Sequence, residues 1–292
     1  MLRPFELYEP SSVAEASELL ARHGDAARLY AGGTELLLAM KEGLIHYDYL
    51  VNVKTIPGLT GVRFDADGTL RIGAATPHRA VERDPRVRER FPVIARAERD
   101  VANVRVREVG TLGGNLCFAE PHSDPGTLLQ IFDAAARLER KGGTREIPVG
   151  ALFVGPFETC LGPDEILTEV AIPPLPARGA AAYRKFGFLE RPSVGVAVAV
   201  VLDDGHVADV RIAVGCIGPV PRRMPDAEAV LRGRAIEETH AVLSEAGRLA
   251  ARAADAVSDL HGSADYKQHL VGVLLRRGFE EALTALAVRE RP

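Results

Sequence analysis

Residues 172–179 read Ile-Pro-Pro-Leu-Pro-Ala-Arg-Gly, and neither a helix nor a central strand can run through them. Each proline lacks the backbone donor that a helix interior or a sheet ladder requires, and each restricts the residue before it. The chain is therefore divided here, and the two sides differ in kind. At 292 residues it is also longer than a single core comfortably serves. Two domains are expected, at 1–174 and 178–290, with the first subdivided into 1–54 and 55–174.

Before the break, short elements alternate. Ser12 and Glu15 read as a capping box for a helix over 13–20, with Gly24 as its stop. A strand over 28–31 runs straight into Gly32-Gly33-Thr34-Glu35 and then an apolar helix through Leu36, Leu37, Leu38 and Met40, ended by Gly43. Strands are expected at 49–53, 62–64 and 70–73, the last two forming a hairpin around Asp65-Ala66-Asp67-Gly68. Thr76 reads as an N-cap with Pro77 at the first helical position, and a further helix covers 92–100. A second glycine turn follows at Gly110-Thr111-Leu112-Gly113-Gly114-Asn115, then a short helix over 127–132 and a hairpin of 135–140 with 144–148. Beyond the break, strands at 182–188, 194–202 and 207–217 precede helices at 226–231, 237–256 and 263–287, the order of an α+β domain.

Composition excludes several classes. Hydrophobic residues make up 47%, charged residues 26%, and the net charge is -4 without a block of like sign. Nothing here suits nucleic acid or an anionic membrane surface. Residues 1–20 lack a basic stretch followed by an apolar run, so no secretory signal is expected. The longest nearly uncharged run, 192–202, is too short for membrane insertion. Cys117, Cys160 and Cys216 are odd in number, widely spaced and without C-x-x-C, which fits a reducing, cytoplasmic compartment and buried, inert thiols. They build no iron–sulfur or zinc site. No catalytic or metal-ligating set is assigned.

The two glycine pairs carry the functional reading. A buried diphosphate needs backbone N–H groups that converge without a Cβ in the way. Neither pair is a P-loop or a Rossmann fingerprint, and alone each is equally an ordinary tight turn.

The surroundings add to this. Ala31-Gly32-Gly33-Thr34-Glu35-Leu36, then Gly110-Thr111-Leu112-Gly113-Gly114-Asn115 followed by Ala119, Pro121 and Ser123-Asp124, then Tyr183-Arg184-Lys185 with Arg191, and finally Ala264-Asp265-Tyr266 all occur in order. In this the chain resembles the FAD-binding medium subunits of the molybdenum hydroxylases, the carbon monoxide dehydrogenase and xanthine dehydrogenase family, over nearly its whole length. The resemblance implies an α+β fold: a two-part FAD-binding domain of the PCMH/vanillyl-alcohol-oxidase-like type, then a C-terminal domain of antiparallel sheet and helices. It implies an oxidoreductase flavoprotein that takes electrons from [2Fe–2S] clusters and passes them to an external acceptor. The clusters and the molybdopterin belong to partners, a small [2Fe–2S] subunit and a large molybdenum subunit, as a dimer of heterotrimers. FAD is implied to be non-covalent, because no histidine stands in the first glycine loop.

The residues implied are Leu29, Tyr30, Ala31, Gly32, Gly33, Thr34, Glu35 and Leu36 as one diphosphate loop, and Thr111, Gly113, Gly114 and Asn115 as the other. Ala119, Ser123, Asp124, Leu167 and Lys185 complete the cofactor contacts, with Lys185 near the flavin. Where some relatives stack an aromatic, this chain has Val101. Each residue also has a plainer reading. Asp124 can cap the next helix, Lys185 can be a solvated strand residue, Glu35 can simply favour a helix N-terminus, and His122 is expected at the surface. A self-sufficient flavin oxidoreductase and a flavin-free scaffold remain as other classes.

Overall fold

Strand β1 (Glu6–Tyr8) leads into α1 (Val13–His23), where the Ser12 hydroxyl accepts from the Glu15 amide. The reciprocal half of the expected box is displaced by one residue. Glu15 Oε2 accepts from the amide and hydroxyl of Ser11 at 2.8 and 2.9 Å. Gly24 ends the helix at φ 53, a conformation that glycine adopts without strain. Then come β2 (Ala27–Tyr30), α2 (Leu36–Lys41) and β3 (Tyr49–Asn52), with β3 parallel to both β1 and β2. Parallel neighbours need a crossover. Here α1 links β1 to β2 and α2 links β2 to β3, and α1 buries Ala16, Leu19 and Leu20 with Val51.

A second sheet begins with β4 (Val62–Phe64) and β5 (Leu70–Gly73). Five helices follow: α3 (His78–Arg83), α4 (Pro85–Arg90), α5 (Pro92–Asp100), α6 (Val104–Val109) and α7 (Leu112–Phe118). Later come β6 (Ala135–Arg140), β7 (Gly143–Pro148), a small hairpin of β8 (Phe153–Gly155) and β9 (Glu158–Thr159), and β10 (Ile166–Ile172). The sheet order is β4-β5-β10-β6-β7, antiparallel throughout.

Three local expectations are corrected. Thr76 is not the cap of α3. Its buried hydroxyl instead bonds the Gly61 amide and carbonyl, and Pro77 takes the cap position. The second glycine motif is not an open turn, because Gly113 and Gly114 lie in the first turn of α7. The strand β10 went unrecognised in the sequence. Two further helices had readable starts: Asp84 caps α4 before Pro85, and the Asn103 carbonyl oxygen caps α6.

The structure, a computed structural model, describes residues 2–187 and 190–289. Phe188 of one expected strand and residue 290 of the expected second domain lie outside these. The chain divides into one unit of residues 1–118 with 135–172 and another of residues 119–134 with 173–292. Residues 119–134, inside the range expected for the first domain, thus group with the second unit. All six residues of α8 (Pro125–Gln130) are buried, and it packs on the sheet of that unit.

That sheet consists of β11 (Gly179–Phe186), β12 (Val194–Asp203), β13 (His206–Gly215) and β14 (Arg222–Arg223), antiparallel in chain order. The helices α9 (Pro225–Leu231), α10 (Ile236–Ala253) and α11 (Ala264–Arg289) complete the unit. Alternate residues of β12 face opposite ways. Val194, Val196, Val198 and Val200 join the core with Leu243, Ala250, Leu275 and Phe279 from the helices. The other face carries Gly195 and, across the ladder, Gly215, whose missing side chains leave room for Tyr183 and Thr127. No helix among the described residues is long and apolar enough to cross a membrane.

Candidate functional site

The first glycine segment leaves β2 at Tyr30 and turns into α2. Gly33 holds φ 71, in the left-handed region. A Cβ there would also lie 2.5 Å from the Tyr30 ring. Gly32 is required for a different reason. Its Cβ would fall 2.5 Å from both Gly110 Cα and Val109 O, so the two glycine segments meet backbone to backbone in the first unit. The carbonyls of Gly33 and Glu35 accept from Leu37 and Ala39 and start α2. Among the described residues, the amides of Gly32, Gly33 and Thr34 donate to no protein acceptor. Three successive, half-buried, uncommitted donors are the arrangement that an anion neutralises.

The second segment differs from expectation. The Gly113 amide donates to Ala74 O at 2.9 Å, the Gly114 amide to Thr111 Oγ1 at 3.0 Å, and the Asn115 amide to Thr111 O at 2.9 Å. These amides are already engaged, as helix geometry and close packing demand. Gly113 is needed because a Cβ would lie 2.5 Å from that of Ala74. A Cβ on Gly114 would lie 3.8 Å from the Ala31 side chain, so the two motifs approach each other here as well. The second segment can still offer the Thr111 hydroxyl proton and its close approach to the first. Two bonds pin its start: the His78 amide donates to Gly110 O and the Leu112 amide to Thr76 O. The His78 ring is itself fixed, 2.5 Å from the buried Glu98 carboxylate.

Of the other residues on the first unit, Leu29 packs against the α1 core. Glu35 stands at the N-cap position of α2 without capping it by its side chain, and Leu36 begins that helix. Leu167 is buried on β10 beside a bulge. Val101 is buried, and its carbonyl accepts from Arg107.

A separate cluster forms in the second unit. The buried Asp124 stands at the N-cap position of α8, but its side chain makes no capping bond. Its Oδ1 accepts from the Tyr183 hydroxyl at 2.7 Å and its Oδ2 from Lys185 Nζ at 2.8 Å. Lys185 is therefore not the solvated strand residue of the plainer reading. Tyr183 and Lys185 lie two apart on β11, on one face, and Tyr183 crosses over Gly195. Burial first, and the Asp124 charge second, push the Tyr183 phenol well above its ordinary range, so it stays a donor. Ser123 O accepts from Cys216 Sγ. Ala119 and Cys216 hold φ 51 and 64, costing about 1 kcal/mol each. Sequence reasoning quoted Tyr183 and Gly110 without assigning either to the site and missed Gly195 and Gly215. Only Tyr183 and Thr127, which lie over them, show why the last two positions need glycine.

His122 also departs from expectation. Its side chain is only 13% exposed and is hydrogen bonded at both ring nitrogens. All three cysteines are free, but only Cys216 is a buried residue. Cys117 is half-buried as a residue while its sulfur is enclosed, and burial pushes the thiol up to about 12. Burial, reinforced by Asp124, pushes Cys216 well above its usual value. Since the thiolate is the nucleophile, iodoacetamide at mildly alkaline pH is expected to spare both until denaturant is added. Mass spectrometry of the alkylated peptides checks this.

Comparison with known proteins gives this geometry a setting. Residues 3–175 match the family described as FAD binding domain in molybdopterin dehydrogenase. Residues 191–282 match the CO dehydrogenase flavoprotein C-terminal domain. The chain belongs to the FAD-binding medium subunits of the molybdenum hydroxylases. It is an oxidoreductase flavoprotein subunit with the FAD-binding domain of that family. It is 36% identical to the nicotine 6-hydroxylase medium subunit of Paenarthrobacter nicotinovorans, over 94% of this chain and 95% of that one. It is 32% identical to the carbon monoxide dehydrogenase medium chain of Hydrogenophaga pseudoflava, over 95% and 96%. Among solved structures, it superposes on a chain of carbon monoxide dehydrogenase from Hydrogenophaga pseudoflava with a TM-score of 0.93, covering 97% of this chain and 99% of that one at 32% identity. For quinoline 2-oxidoreductase from Pseudomonas putida 86 the TM-score is 0.90 at 26% identity, covering 98% and 99%.

Proposed function

We propose that this chain is the electron-transferring flavoprotein of a molybdenum hydroxylase, receiving electrons from the [2Fe–2S] clusters of a small partner subunit and passing them to an external acceptor. A large partner subunit carries the molybdenum centre, the assembly is a dimer of heterotrimers, and it works in the cytoplasm. The similarity to medium subunits of named dehydrogenases and hydroxylases supports this reading. The domains 1–174 and 178–290 are proposed as its cofactor-binding and C-terminal parts.

The observation that carries the cofactor assignment is the joining of Gly32 to Gly110, which sets the uncommitted amides of Gly32, Gly33 and Thr34 beside the Thr111 segment. That donor set fits a diphosphate: side-chain-free backbone on both sides, three N–H groups and a hydroxyl. FAD, when bound, supplies the redox chemistry. Residues 29–36 would hold the diphosphate, with the 111–115 segment contributing the Thr111 hydroxyl and its side-chain-free approach. Leu167 contributes apolar contact, and Ala119, Ser123, Asp124 and Lys185 are proposed as further FAD contacts from the resemblance. Asp124, an acceptor for hydroxyl donors, lies 2.8 Å from the Lys185 ammonium.

The full chain, stripped of flavin and incubated with FAD, is expected to regain a stoichiometric flavin absorbance that survives gel filtration and leaves with the cofactor on acid precipitation. A chain that takes up no flavin under these conditions sinks the reading.

A further inference from the structure

The second unit holds a chain of buried charge that the proposed electron transfer does not use. Lys267, at the start of α11, is wholly buried. Its Nζ donates to Val257 O at 3.0 Å and to Asp259 Oδ2 at 2.7 Å. Asp259 Oδ1 accepts from the His261 amide at 2.8 Å. The same Oδ2 lies 3.1 Å from His122 Nε2, and His122 Nδ1 lies 2.9 Å from Pro192 O. The His261 ring packs on that of His122 with centroids 4.2 Å apart. Three chain segments distant in sequence, around residues 122, 192 and 259, are thus joined through one imidazole.

Both groups that face the imidazole, a peptide carbonyl and a carboxylate, are hydrogen-bond acceptors, so the ring spans two fixed points rather than one. Burial works to raise the Asp259 carboxyl, but Lys267, the His261 amide and His122 together hold it below the usual carboxylate range, so it stays an acceptor. The bridge serves a geometric purpose.

That purpose follows from where His122 sits. It lies in the segment 119–124, which carries Ala119, Ser123 and Asp124. Asp124 is tied from one side by Tyr183 and Lys185. His122 ties the segment from the other side, and Glu120 adds a backbone bond, its Oε2 accepting from the His122 amide at 3.1 Å. We infer that His122, bridging the Pro192 carbonyl and the Asp259 carboxylate through its two ring nitrogens, is a positioning residue that preorganises the 119–124 segment for cofactor binding. The inference rests on the flavin reading above for its consequence, but not for its geometry.

Two measurements on the full chain separate these. In the flavin-free protein with nitrogen-labelled histidine, both ring nitrogens of His122, assigned by their disappearance in His122→Gln, are expected to show the chemical shifts of hydrogen-bonded nitrogens. A ring with the shifts of a free, solvated imidazole overturns the inference whatever the cofactor does. For binding, His122→Asn retains a donor near the Nδ1 position and His122→Gln one near Nε2, so each keeps half the bridge. His122→Asn, which loses the bond to the Asp259 carboxylate, is expected to release FAD about tenfold faster than wild type, the scale of one hydrogen bond to a charged group, and His122→Gln, which loses the neutral bond to Pro192 O, about fivefold faster, each with the melting temperature of the flavin-free chain within a few degrees of wild type. Wild-type release rates in both variants overturn the positioning role, and so does faster release accompanied by a collapse in melting temperature, which marks a merely structural residue. Failure of the wild type itself to take up FAD would instead indict the flavin reading, and the labelled ring would still stand or fall by its own shifts.

Discussion

Gly32→Val is expected to abolish flavin retention and to weaken FAD affinity by at least about 100-fold, which is about 2.8 kcal/mol at 1.4 kcal/mol per decade. The reason is steric and has no flexible remedy. The first atom of any side chain would lie 2.5 Å from Gly110 Cα and from Val109 O, both backbone atoms. Either the two segments separate or one is rebuilt, and overpacking of this kind costs about 3 kcal/mol. Isothermal titration with FAD and the absorbance of the purified chain measure the loss. A graded series sharpens the test. At Gly114 the Cβ would meet Thr111 Oγ1 at 2.8 Å, a side-chain atom that can rotate away, so Gly114→Ala should lose less. At Gly142 nothing lies within 4 Å and only the φ of 80 is strained, so Gly142→Ala should cost about 1 kcal/mol of stability and leave flavin content unchanged. Normal flavin in Gly32→Val would remove the meeting of the two glycine segments from the binding site.

Asp124→Ala is expected to destabilise the second unit by about 2–3 kcal/mol and to reduce flavin retention as well. Removal leaves the Tyr183 hydroxyl and the Lys185 ammonium without the carboxylate that each now reaches at 2.7 and 2.8 Å. Breaking a buried ion pair from one side costs about 3–5 kcal/mol. The lower figure applies here because the Lys185 side chain is a quarter exposed, at 25%, and can turn to water. Urea unfolding of the flavin-free chain reads the stability term, and FAD titration reads the other. Asp124→Ala combined with Lys185→Met removes both charges and should recover part of the stability without recovering the flavin contact. If the double variant regained full FAD affinity, Asp124 and Lys185 would be a structural pair and no more.

The legibility of this molecule in its sequence followed the range of the interaction concerned. Gly24 as a helix stop, the helix from Pro92, the hairpin strands of 135–148 and the order of strands then helices beyond the prolines all depend on local propensity and period, and the fold repeats them. The apolar run in β12 announced a strand, though not that helices cover one face while Tyr183 and Thr127 fill the hollows over glycines on the other. Thr76 shows the converse. Its local signal for a cap was sound, yet a more distant partner, Gly61, took the hydroxyl. The Ser12–Glu15 box slipped for the same kind of reason, when Ser11 offered two donors where Ser12 offered one.

The candidate site divides along the same line. The paired glycines could be read as backbone without side chains, and their order and surroundings identified the family. Which glycine does what could not be read. Gly33 answers to a left-handed φ, Gly32 to Gly110 and Gly113 to Ala74, and only the last two requirements come from another part of the chain. The amides of Gly113 and Gly114, expected to face a phosphate, are already used because α7 begins there.

By itself, then, the sequence determined many of the local elements and the family, because these rest on residues that act on near neighbours or recur in a fixed order. Tertiary structure alone decided that residues 119–134 fold with the later unit, that Asp124 meets Tyr183 and Lys185, and that His122 is enclosed by Pro192 and Asp259. Each of these is a pairing between side chains or segments far apart in the chain. A buried donor has to find an acceptor somewhere, but the sequence does not say which of many acceptors folding will bring within 3 Å.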